Sequence, residues 1–363
     1  SVHGVKVYNL SAGKTYPQWL SERKRRSLAK DKEYQNRIEL FQDFDFPVAS
    51  QTIKMTNDGQ YVISTGTYKP QVKVFEVSEL SLKFSRHFDS DCIAVETLSN
   101  DYQKIAFLLS DKSLAFHAAY GAHHTIKIPL FGRDMVYQKS ACDLIVATNG
   151  SDVYRLNLDE GRFKAPLTLP EENGGTKIAL SSVHQLLTVG TEDGWIHLFD
   201  SRTNSNKKKP ISGLKISKDE ASISAVSYAS DGLTLGVGTE HGQVMLFDLR
   251  TSTPMLTKHH QNSSQIVKLQ FLENLTETYK TVLSADRNIV KFWNRLDGAM
   301  IANVETPSCI NDICIAKDER GDSGLMMVAG EQPRVMNYYI PVIGSAPKWY
   351  SYLDNLTEEL EEK

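Results

Sequence analysis

Three octapeptides decide the fold of this 363-residue chain: WIHLFDSR at 195–202, QVMLFDLR at 243–250 and IVKFWNRL at 289–296. In each, apolar and polar residues alternate, as they do in a strand with one buried face, and an aromatic residue stands near the end. Four further stretches share this pattern: QVKVFEV at 71–77, KSLAFHA at 112–118, SDVYRLNL at 151–158 and PRVMNYYI at 333–340. The chain therefore contains a repeated unit.

The repeat has a nearly regular period. Its central aromatic residues are separated by 41, 38, 45, 48, 46 and 45 residues, counted along Phe75, Phe116, Tyr154, Phe199, Phe247, Trp293 and Tyr338. A period of about 40 to 45 residues with four short strands per unit is typical of WD-type propeller blades. Small residues such as Gly66, Gly190 and Gly236 suit strands where blades converge. The pattern predicts an all-β fold, a seven-bladed WD40-type β-propeller.

The last repeat supplies only three strands, and an open blade edge would promote aggregation, so another part of the chain must close the ring. IELFQDFDF at 38–46 has the alternation of an outer strand, and we expect residues 38–44 to pair with 333–340. VKVYNL at 5–10 also has strand character, but the sequence leaves its place open.

The predicted domain is a propeller at 1–344 that contains a basic helical segment at 12–37 and the ring-closing strand at 38–46. A short charged extension at 345–363 follows. Because the chain begins at Ser1 and ends within EELEEK, we also expect it to be a piece of something longer. The blades are expected near 51–84, 92–128, 132–167, 174–210, 223–258, 265–304 and 309–340.

Composition limits the classes of partner. The 41 Lys and Arg residues nearly balance the 44 Asp and Glu residues, giving a formal net charge of -3. Nucleic acid would therefore have to bind at local basic patches rather than to a basic surface as a whole. The four cysteines, at 92, 142, 309 and 314, have neither metal-site nor disulfide spacing, which suits a reducing compartment. No signal peptide or run of 18 apolar residues occurs, so we predict no membrane partner.

The motifs do not predict an enzyme. SAGKT at 11–15 ends like a phosphate-binding loop, but Tyr8 stands where that loop requires Gly. The His-His pairs at 123–124 and 259–260 fall in or beside predicted outer strands, where adjacent side chains point to opposite faces and do not easily share a metal. We predict no catalytic residue, metal, cofactor or small-molecule substrate. An enzyme would have to gather residues from several blades around the central channel.

Basic residues concentrate in WLSERKRRSLAKDKEYQNRIELF at 19–41 and in SRTNSNKKKP at 201–210. A solvated surface is the simple explanation of both segments, and a nuclear address is a second explanation of the first. The sharper hypothesis is that these residues contact RNA phosphate or an acidic partner. We expect the first segment to be held in place for such a contact because it runs into the ring-closing strand. The candidate contact residues are Arg23, Lys24, Arg25, Arg26, Lys30, Lys207, Lys208 and Lys209.

Several stretches go beyond the shared propeller pattern, among them GKTYPQWLSERKRRSLAKDKEYQNRIELFQDFDFP, DGQYVISTGTYKPQVKVFE, IPLFGRDMVY and YYIPVIGSAPKWYSYLDNLTEELEEK. Together they resemble the nucleolar protein ten family, WD-repeat factors also described as essential nuclear proteins. The resemblance spans nearly the whole chain. Members of that family continue into a long charged tail, whereas this chain ends at Lys363. The family offers no catalytic residues to transfer.

The resemblance implies a nucleolar, non-enzymatic component of the small-subunit processome that acts in maturation of the small-subunit rRNA precursor. Its implied partners are other processome proteins and the U3 small nucleolar ribonucleoprotein, with contact to the backbone of pre-rRNA as a further expectation. Two alternatives stay open: a peptide-binding adaptor in another nuclear complex, and an enzyme that uses the central channel.

Overall fold

The computed structural model describes residues 5, 7–10, 37–170, 172, 174–200, 209–216, 221–272, 280–318 and 321–352. Within these residues the strands form seven antiparallel sheets, six of four strands and one of five. The sheets are the blades of an all-β propeller around a central channel, which confirms the predicted seven-bladed architecture.

The first strand of each blade lines the channel, and the strand at the other edge of the sheet lies at the rim. Blade 1 contains β3 (Ser50–Met55), β4 (Tyr61–Gly66), β5 (Gln71–Glu76) and β6 (Ser81–His87). Blade 2 contains β7 (Cys92–Thr97), β8 (Lys104–Leu109), β9 (Ser113–Ala118) and β10 (Gly121–Lys127). Blade 3 contains β11 (Gly132–Gln138), β12 (Asp143–Thr148), β13 (Asp152–Asn157) and β14 (Arg162–Thr168).

The next three blades repeat this order. Blade 4 contains β15 (Gly175–Leu180), β16 (Leu186–Thr191), β17 (Trp195–Asp200) and β18 (Ser212–Lys215). Blade 5 contains β19 (Ile223–Tyr228), β20 (Thr234–Thr239), β21 (Gln243–Asp248) and β22 (Pro254–His259). Blade 6 contains β23 (Lys268–Phe271), β24 (Thr281–Ala285), β25 (Ile289–Asn294) and β26 (Met300–Glu305).

Blade 7 joins the two ends of the chain. Its first three strands are β27 (Ile310–Asp318), β28 (Gly321–Gly330) and β29 (Arg334–Tyr339). The N-terminal part adds β2 (Glu39–Asp45) as the fourth strand and β1 (Val7–Asn9) as a fifth. β2 pairs with β29 from Glu39 opposite Tyr339 to Asp45 opposite Arg334, which is the ring-closing pairing expected from the sequence. β1, whose place the sequence left open, pairs with β2.

The two faces of the ring follow from the antiparallel order. We call the face where first strands begin the upper face; it carries the links between blades, such as 88–91 and 129–131. The lower face carries the first and third turns of each blade, such as 98–103 and 158–161. Leu10 donates its N–H to the carbonyl oxygen of Ile38 over 2.9 Å at the lower end of blade 7.

Close packing between blades explains the small residues in the second strands. A Cβ atom added at Gly190 of blade 4 would lie 2.6 Å from Cγ2 of Ile223 in blade 5, which is far inside van der Waals contact. A Cβ atom added at Gly236 would lie 2.6 Å from Cδ2 of Leu269 in blade 6. Gly is therefore required where the next blade approaches the backbone.

The seam between blades 7 and 1 is both apolar and polar. Phe41, Phe44 and Phe46 pack with Phe75 in one buried cluster, and the Phe44 and Phe75 rings are 4.5 Å apart. On the channel side, Asn311 Nδ2 donates to the carbonyl oxygen of Ser50 over 2.8 Å. The ring is thus held by side chains as well as by the β2–β29 ladder.

Two expectations about the chain ends have different outcomes. The basic helical segment predicted at 12–37 lies outside the described residues except for Arg37, which is not helical. Residues 345–352 of the predicted C-terminal extension at 345–363 pack against the propeller. A 3-10 helix, Lys348–Tyr352, packs there because Tyr350 is buried against Tyr339 and donates its hydroxyl to Glu39 Oε2 over 2.6 Å. The remainder of the predicted charged tail, 353–363, lies outside the described residues.

Candidate functional site

The central channel is the first candidate site. It has a volume of about 890 Å³ and is lined by the first strands of all seven blades. Corresponding positions on the first strands face one another around the channel and form a belt. Each belt residue directly follows a bulge or begins its strand, and it pairs with the corresponding residue of the second strand. Charged side chains occupy four belt positions: Asp134, Lys177, Lys268 and Asp312.

These charges pair across blade boundaries. Lys268 Nζ of blade 6 lies 2.9 Å from Asp312 Oδ1 of blade 7, and Lys177 Nζ of blade 4 lies 3.9 Å from Asp134 Oδ2 of blade 3. Two residues further along their strands, Lys54 of blade 1 and Glu96 of blade 2 form a third pair at 2.7 Å.

Both aspartates also hold the backbone of the following blade. Asp134 Oδ2 accepts the N–H of Ile178 over 3.1 Å, and Asp312 Oδ2 accepts the N–H of Ile53 over 3.2 Å. The second of these bonds joins blade 7 to blade 1, so it is part of the ring closure. The carboxylates in the channel wall therefore link adjacent blades through ion pairs and hydrogen bonds.

The protonation states fit this structural role. The Asp312 carboxylate raises the pKa of Lys268, so the ammonium group stays charged and paired. Burial raises the pKa of the Cys314 thiol in the same wall, which keeps it from being a ready nucleophile. Among the described residues, no three His, Cys, Asp or Glu side chains are placed to hold a metal ion together. The channel thus offers paired charges rather than an acid, a base and a nucleophile in reach of one another.

A second polar site lies between blades 5 and 6 and is built around Trp293. The indole Nε1 donates to Ser284 Oγ over 3.0 Å, and Ser284 Oγ lies 2.8 Å from His260 Nε2. His260 Nδ1 lies 3.2 Å from Asp286 Oδ2. Since an ionised carboxylate only accepts, the His260 proton is on Nδ1 and the Ser284 hydroxyl donates to Nε2. Each donor in this buried chain has an acceptor.

Burial and hydrogen bonding set the charges in that chain. Burial lowers the pKa of His260, although Asp286 opposes the shift, so the imidazole is neutral at pH 7. Burial acts to raise the pKa of Asp286, but the backbone N–H groups of Asn288 and Ile289 and the bond from His260 outweigh it and lower the pKa. The His259–His260 pair noted in the sequence is thus split: His260 is buried in the network and His259 is exposed.

The predicted basic contacts are mostly beyond what the structure describes. Seven of the eight candidates lie outside the described residues: Arg23, Lys24, Arg25, Arg26, Lys30, Lys207 and Lys208. Lys209 is exposed and precedes β18 at the lower side of blade 4. Leu10 and Arg37, which flank the longer basic segment, are also at the lower face, on blade 7.

Comparison with known proteins then decides the family. The family described as "Nucleolar protein 10-like, N-terminal domain" matches residues 1–363, the whole chain. The chain belongs to this family. The resemblance seen in the sequence to the nucleolar protein ten family is confirmed.

Relatives within the nucleolar protein 10-like family come from distant organisms. "Nucleolar protein 10" of Homo sapiens is 43% identical over 369 residues, covering 100% of this chain and 52% of the relative. "Ribosome biogenesis protein ENP2" of Saccharomyces cerevisiae is 40% identical over 366 residues, covering 100% of this chain and 51% of the relative. "Ribosome biogenesis protein enp2 homolog" of Schizosaccharomyces pombe is 38% identical and covers 99% of this chain and 58% of the relative. The chain therefore spans about half the length of these relatives.

Sequence patterns did not reveal the channel pairs or the Trp293 network of this family member. A signal for the network exists, since blade 6 alone among the repeats has Trp as its central aromatic residue, with Ser284 and Asp286 upstream. The channel pairs have no local signal, because Lys54 and Glu96 are 42 positions apart and meet only in the ring. In the described part of the chain, no helix is long and apolar enough to span a membrane.

Proposed function

We propose that this chain is the propeller part of a non-enzymatic nucleolar scaffold in ribosome biogenesis, acting in assembly of the small ribosomal subunit. The observation that carries the proposal is the match over the whole chain to a family in which relatives are named nucleolar protein 10 and ribosome biogenesis protein. The proposed partners are proteins of the small-subunit processome, in the environment of the U3 small nucleolar ribonucleoprotein.

The channel supports a scaffold over an enzyme. Its strand carboxylates Glu96, Asp134 and Asp312 are each paired with a lysine of a neighbouring blade, so they stabilise the ring. A rigid ring with many loops at its two faces is well suited to hold several partners in fixed positions. The role is therefore to position other molecules.

Cell fractionation tests the proposal. The tagged protein, with this chain in its natural full-length context, is expected to concentrate in nucleoli and to sediment with particles that contain the small-subunit rRNA precursor. Its depletion should lower the mature small-subunit rRNA and leave the large-subunit rRNA comparatively unchanged. Sedimentation only as free protein, or loss of large-subunit rRNA alone, would contradict the proposal.

We further propose that the basic residues contact the pre-rRNA backbone at the lower face. Support comes from the described flanks of both basic segments, Leu10 with Arg37 on blade 7 and Lys209 on blade 4, which share that face. Phosphate contacts of this kind have no sequence preference and weaken as salt rises.

Charge reversal tests this interaction. Changing Arg23, Lys24, Arg25 and Arg26 together to Glu should weaken binding of the protein to a pre-rRNA fragment. The slope of log affinity against log salt should also fall, by about one for each phosphate that these side chains no longer neutralise. The control is Lys69 and Lys127 changed to Glu, two exposed lysines outside both basic segments. Equal affinity and equal salt dependence for wild type and the fourfold variant would refute the proposed phosphate binding.

A further inference from the structure

An open groove separates the outer halves of blades 2 and 3 at the lower face. Its volume is about 610 Å³. Phe116 and Ile126 of blade 2 form one wall, and Tyr137 and Leu158 of blade 3 form the other. All four are only partly buried, although they pack against the buried apolar cluster between the two blades. The groove therefore exposes apolar surface in a concave site.

In the preceding gap, between blades 1 and 2, aromatic rings occupy the corresponding space. The Tyr61 and Tyr102 rings meet edge to face with centroids 4.6 Å apart, and the Phe84 ring lies 5.8 Å from Tyr102. Lys83 Nζ lies over both tyrosine rings, at 5.7 Å and 5.9 Å. Such ring pairs stabilise a packed gap beyond their buried area.

The strand registers show which residues of blade 2 stand in the places of these rings. Tyr61 begins β4 and pairs with Glu76 at the end of β5; Lys104 begins β8 and pairs with Ala118 at the end of β9. Lys104 is therefore the counterpart of Tyr61. A flexible charged side chain replaces a ring at the mouth of the groove.

The same comparison holds on the fourth strands. Phe84 of β6 and His124 of β10 occupy corresponding positions, each directly after a bulge residue, which is Lys83 in β6 and His123 in β10. The third ring has no counterpart, since Tyr102 stands in the turn 98–103, whereas the matching turn of blade 3, 139–142, is shorter and contains no aromatic residue. The groove thus results from three missing rings.

The charges at the groove have one sign. Among the described residues of its lining, Lys104 carries a formal charge, His117, His123 and His124 are the other residues with a basic group, and none is Asp or Glu. Lys104 interacts electrostatically with Asp101 in the adjacent turn but forms no close ion pair with a carboxylate in the described chain, whereas Lys83 Nζ lies 3.8 Å from Glu76 Oε2. An occupant with an acidic group beside an apolar side chain would complement both features.

We propose that the groove between blades 2 and 3 docks a short segment of a protein partner, which inserts an apolar side chain between the blades and sets an acidic side chain near Lys104. A single apolar side chain buried in a pocket often dominates the affinity of such a contact. A nucleic acid strand fits less well, because one lysine cannot follow a run of phosphates. This docking site goes beyond the proposed scaffold function and does not depend on it.

The test uses a displayed library of random 12-residue peptides. Peptides are selected on the wild-type chain after removal of those that bind the double variant Lys104→Tyr with His124→Phe. That variant places in blade 2 the residues found at Tyr61 and Phe84 of blade 1, so it fills the groove with rings that this fold already accommodates. The expected enriched peptides share one large apolar residue next to Asp or Glu.

An enriched peptide, labelled and titrated, should bind the filled variant at least about tenfold more weakly than wild type, a difference of about 1.4 kcal/mol. Changing its apolar residue to Ala should have a similar effect. Lys104→Glu should weaken binding through charge alone, which keeps the test valid should the filled variant not fold. The matched control is Thr125→Phe, which adds a ring to the same strand next to His124 but on the opposite face.

The outcomes are distinct. No enrichment over the starting library, or enriched peptides that bind the filled variant and wild type equally, would overturn the docking site. A labelled single-stranded RNA is titrated in parallel, and saturable RNA binding that the filled variant loses would assign the groove to nucleic acid instead. Failure of the ribosome-assembly proposal would show in cell fractionation and would leave these binding results unchanged.

Discussion

The gaps between blades 1 and 2 and between blades 2 and 3 have the same strand order and the same bulge, yet one is filled and the other is open. Three rings and one lysine close the first, and Lys104 and His124 leave the second accessible. In blade 1 and in blade 2, each of the four strands pairs with the next strand along the chain. Closure of the propeller therefore depends on the paired strands and on the buried apolar clusters between blades. The residues in the outer part of each gap can instead stabilise the protein or form a binding site.

The gap between blades 5 and 6 extends this comparison, because a polar network joined to Trp293 fills it. Asp286→Ala should lower the free energy of unfolding by about 3 kcal/mol, since the imidazole of His260 and two backbone N–H groups lose their acceptor inside the protein. Urea unfolding at pH 7 measures the change.

Glu160→Ala is the control, because Glu160 forms an ion pair with Arg162 in which both side chains are exposed, and no measurable loss is expected. A loss below about 1 kcal/mol for Asp286→Ala would show that the network adds little to closing this gap.

In the filled gap between blades 1 and 2, Tyr102→Ala should lower the free energy of unfolding by about 2 kcal/mol. The variant removes the ring that touches both Tyr61 and Phe84 and leaves space in their place. Thermal or urea unfolding gives the value. Tyr120→Ala, at the lip of the open groove and 75% exposed, is the matched substitution and should change stability little. If the two variants were equally stable, the distinction between filled and open gaps would not hold.

The sequence predicted the ring but not the difference between its gaps. The alternation in IELFQDFDF and the missing strand of the last repeat were enough to expect its pairing with 333–340, because a propeller has one way to close. The groove depends on which residues of two blades face each other. Lys104 and Tyr61 are counterparts only through the registers of β4 and β8, and nothing near Lys104 in the sequence marks it as replacing a ring.

The end of the described chain shows the same limit. PKWYSY at 347–352 was expected to start a charged extension because of the acidic residues that follow it. Trp349 and Tyr350 instead pack on Phe41, which comes from the opposite end of the chain. The acidic composition of 345–363 as a whole did not indicate that Trp349 and Tyr350 form an apolar anchor. Their partner, Phe41, is brought near them by the ring-closing strand.

Filling the open groove should have a small effect on stability. Lys104→Tyr with His124→Phe is expected to leave the free energy of unfolding within about 1 kcal/mol of wild type, or to raise it, because the rings enter space that is already present. The reverse exchange in blade 1, Tyr61→Lys with Phe84→His, should destabilise the protein, and urea unfolding of both variants makes the comparison. A strong destabilisation by the filling variant would show that the two gaps are not equivalent.

The smallest expected effect concerns pH and His117, which stands on the filled side of blade 2. Its ring centroid lies 5.2 Å from that of Phe88 and 5.0 Å from that of Phe107. Burial, with a smaller contribution from Arg86, lowers the pKa of His117 to about 4. The unfolded chain takes up this proton near pH 6.5, so the stabilising contribution is complete above about pH 6.5 and is lost as the pH falls towards 4.

His117→Phe keeps a ring against Phe88 and Phe107 but removes the proton site. The variant should therefore lose less stability than wild type between pH 6.5 and 4, while its curve runs parallel to that of wild type above pH 7. Urea unfolding at a series of pH values provides both curves. Identical slopes below pH 6.5 would mean that the imidazole is protonated in the folded protein as easily as in the unfolded chain, and that the filled gap does not exclude charge.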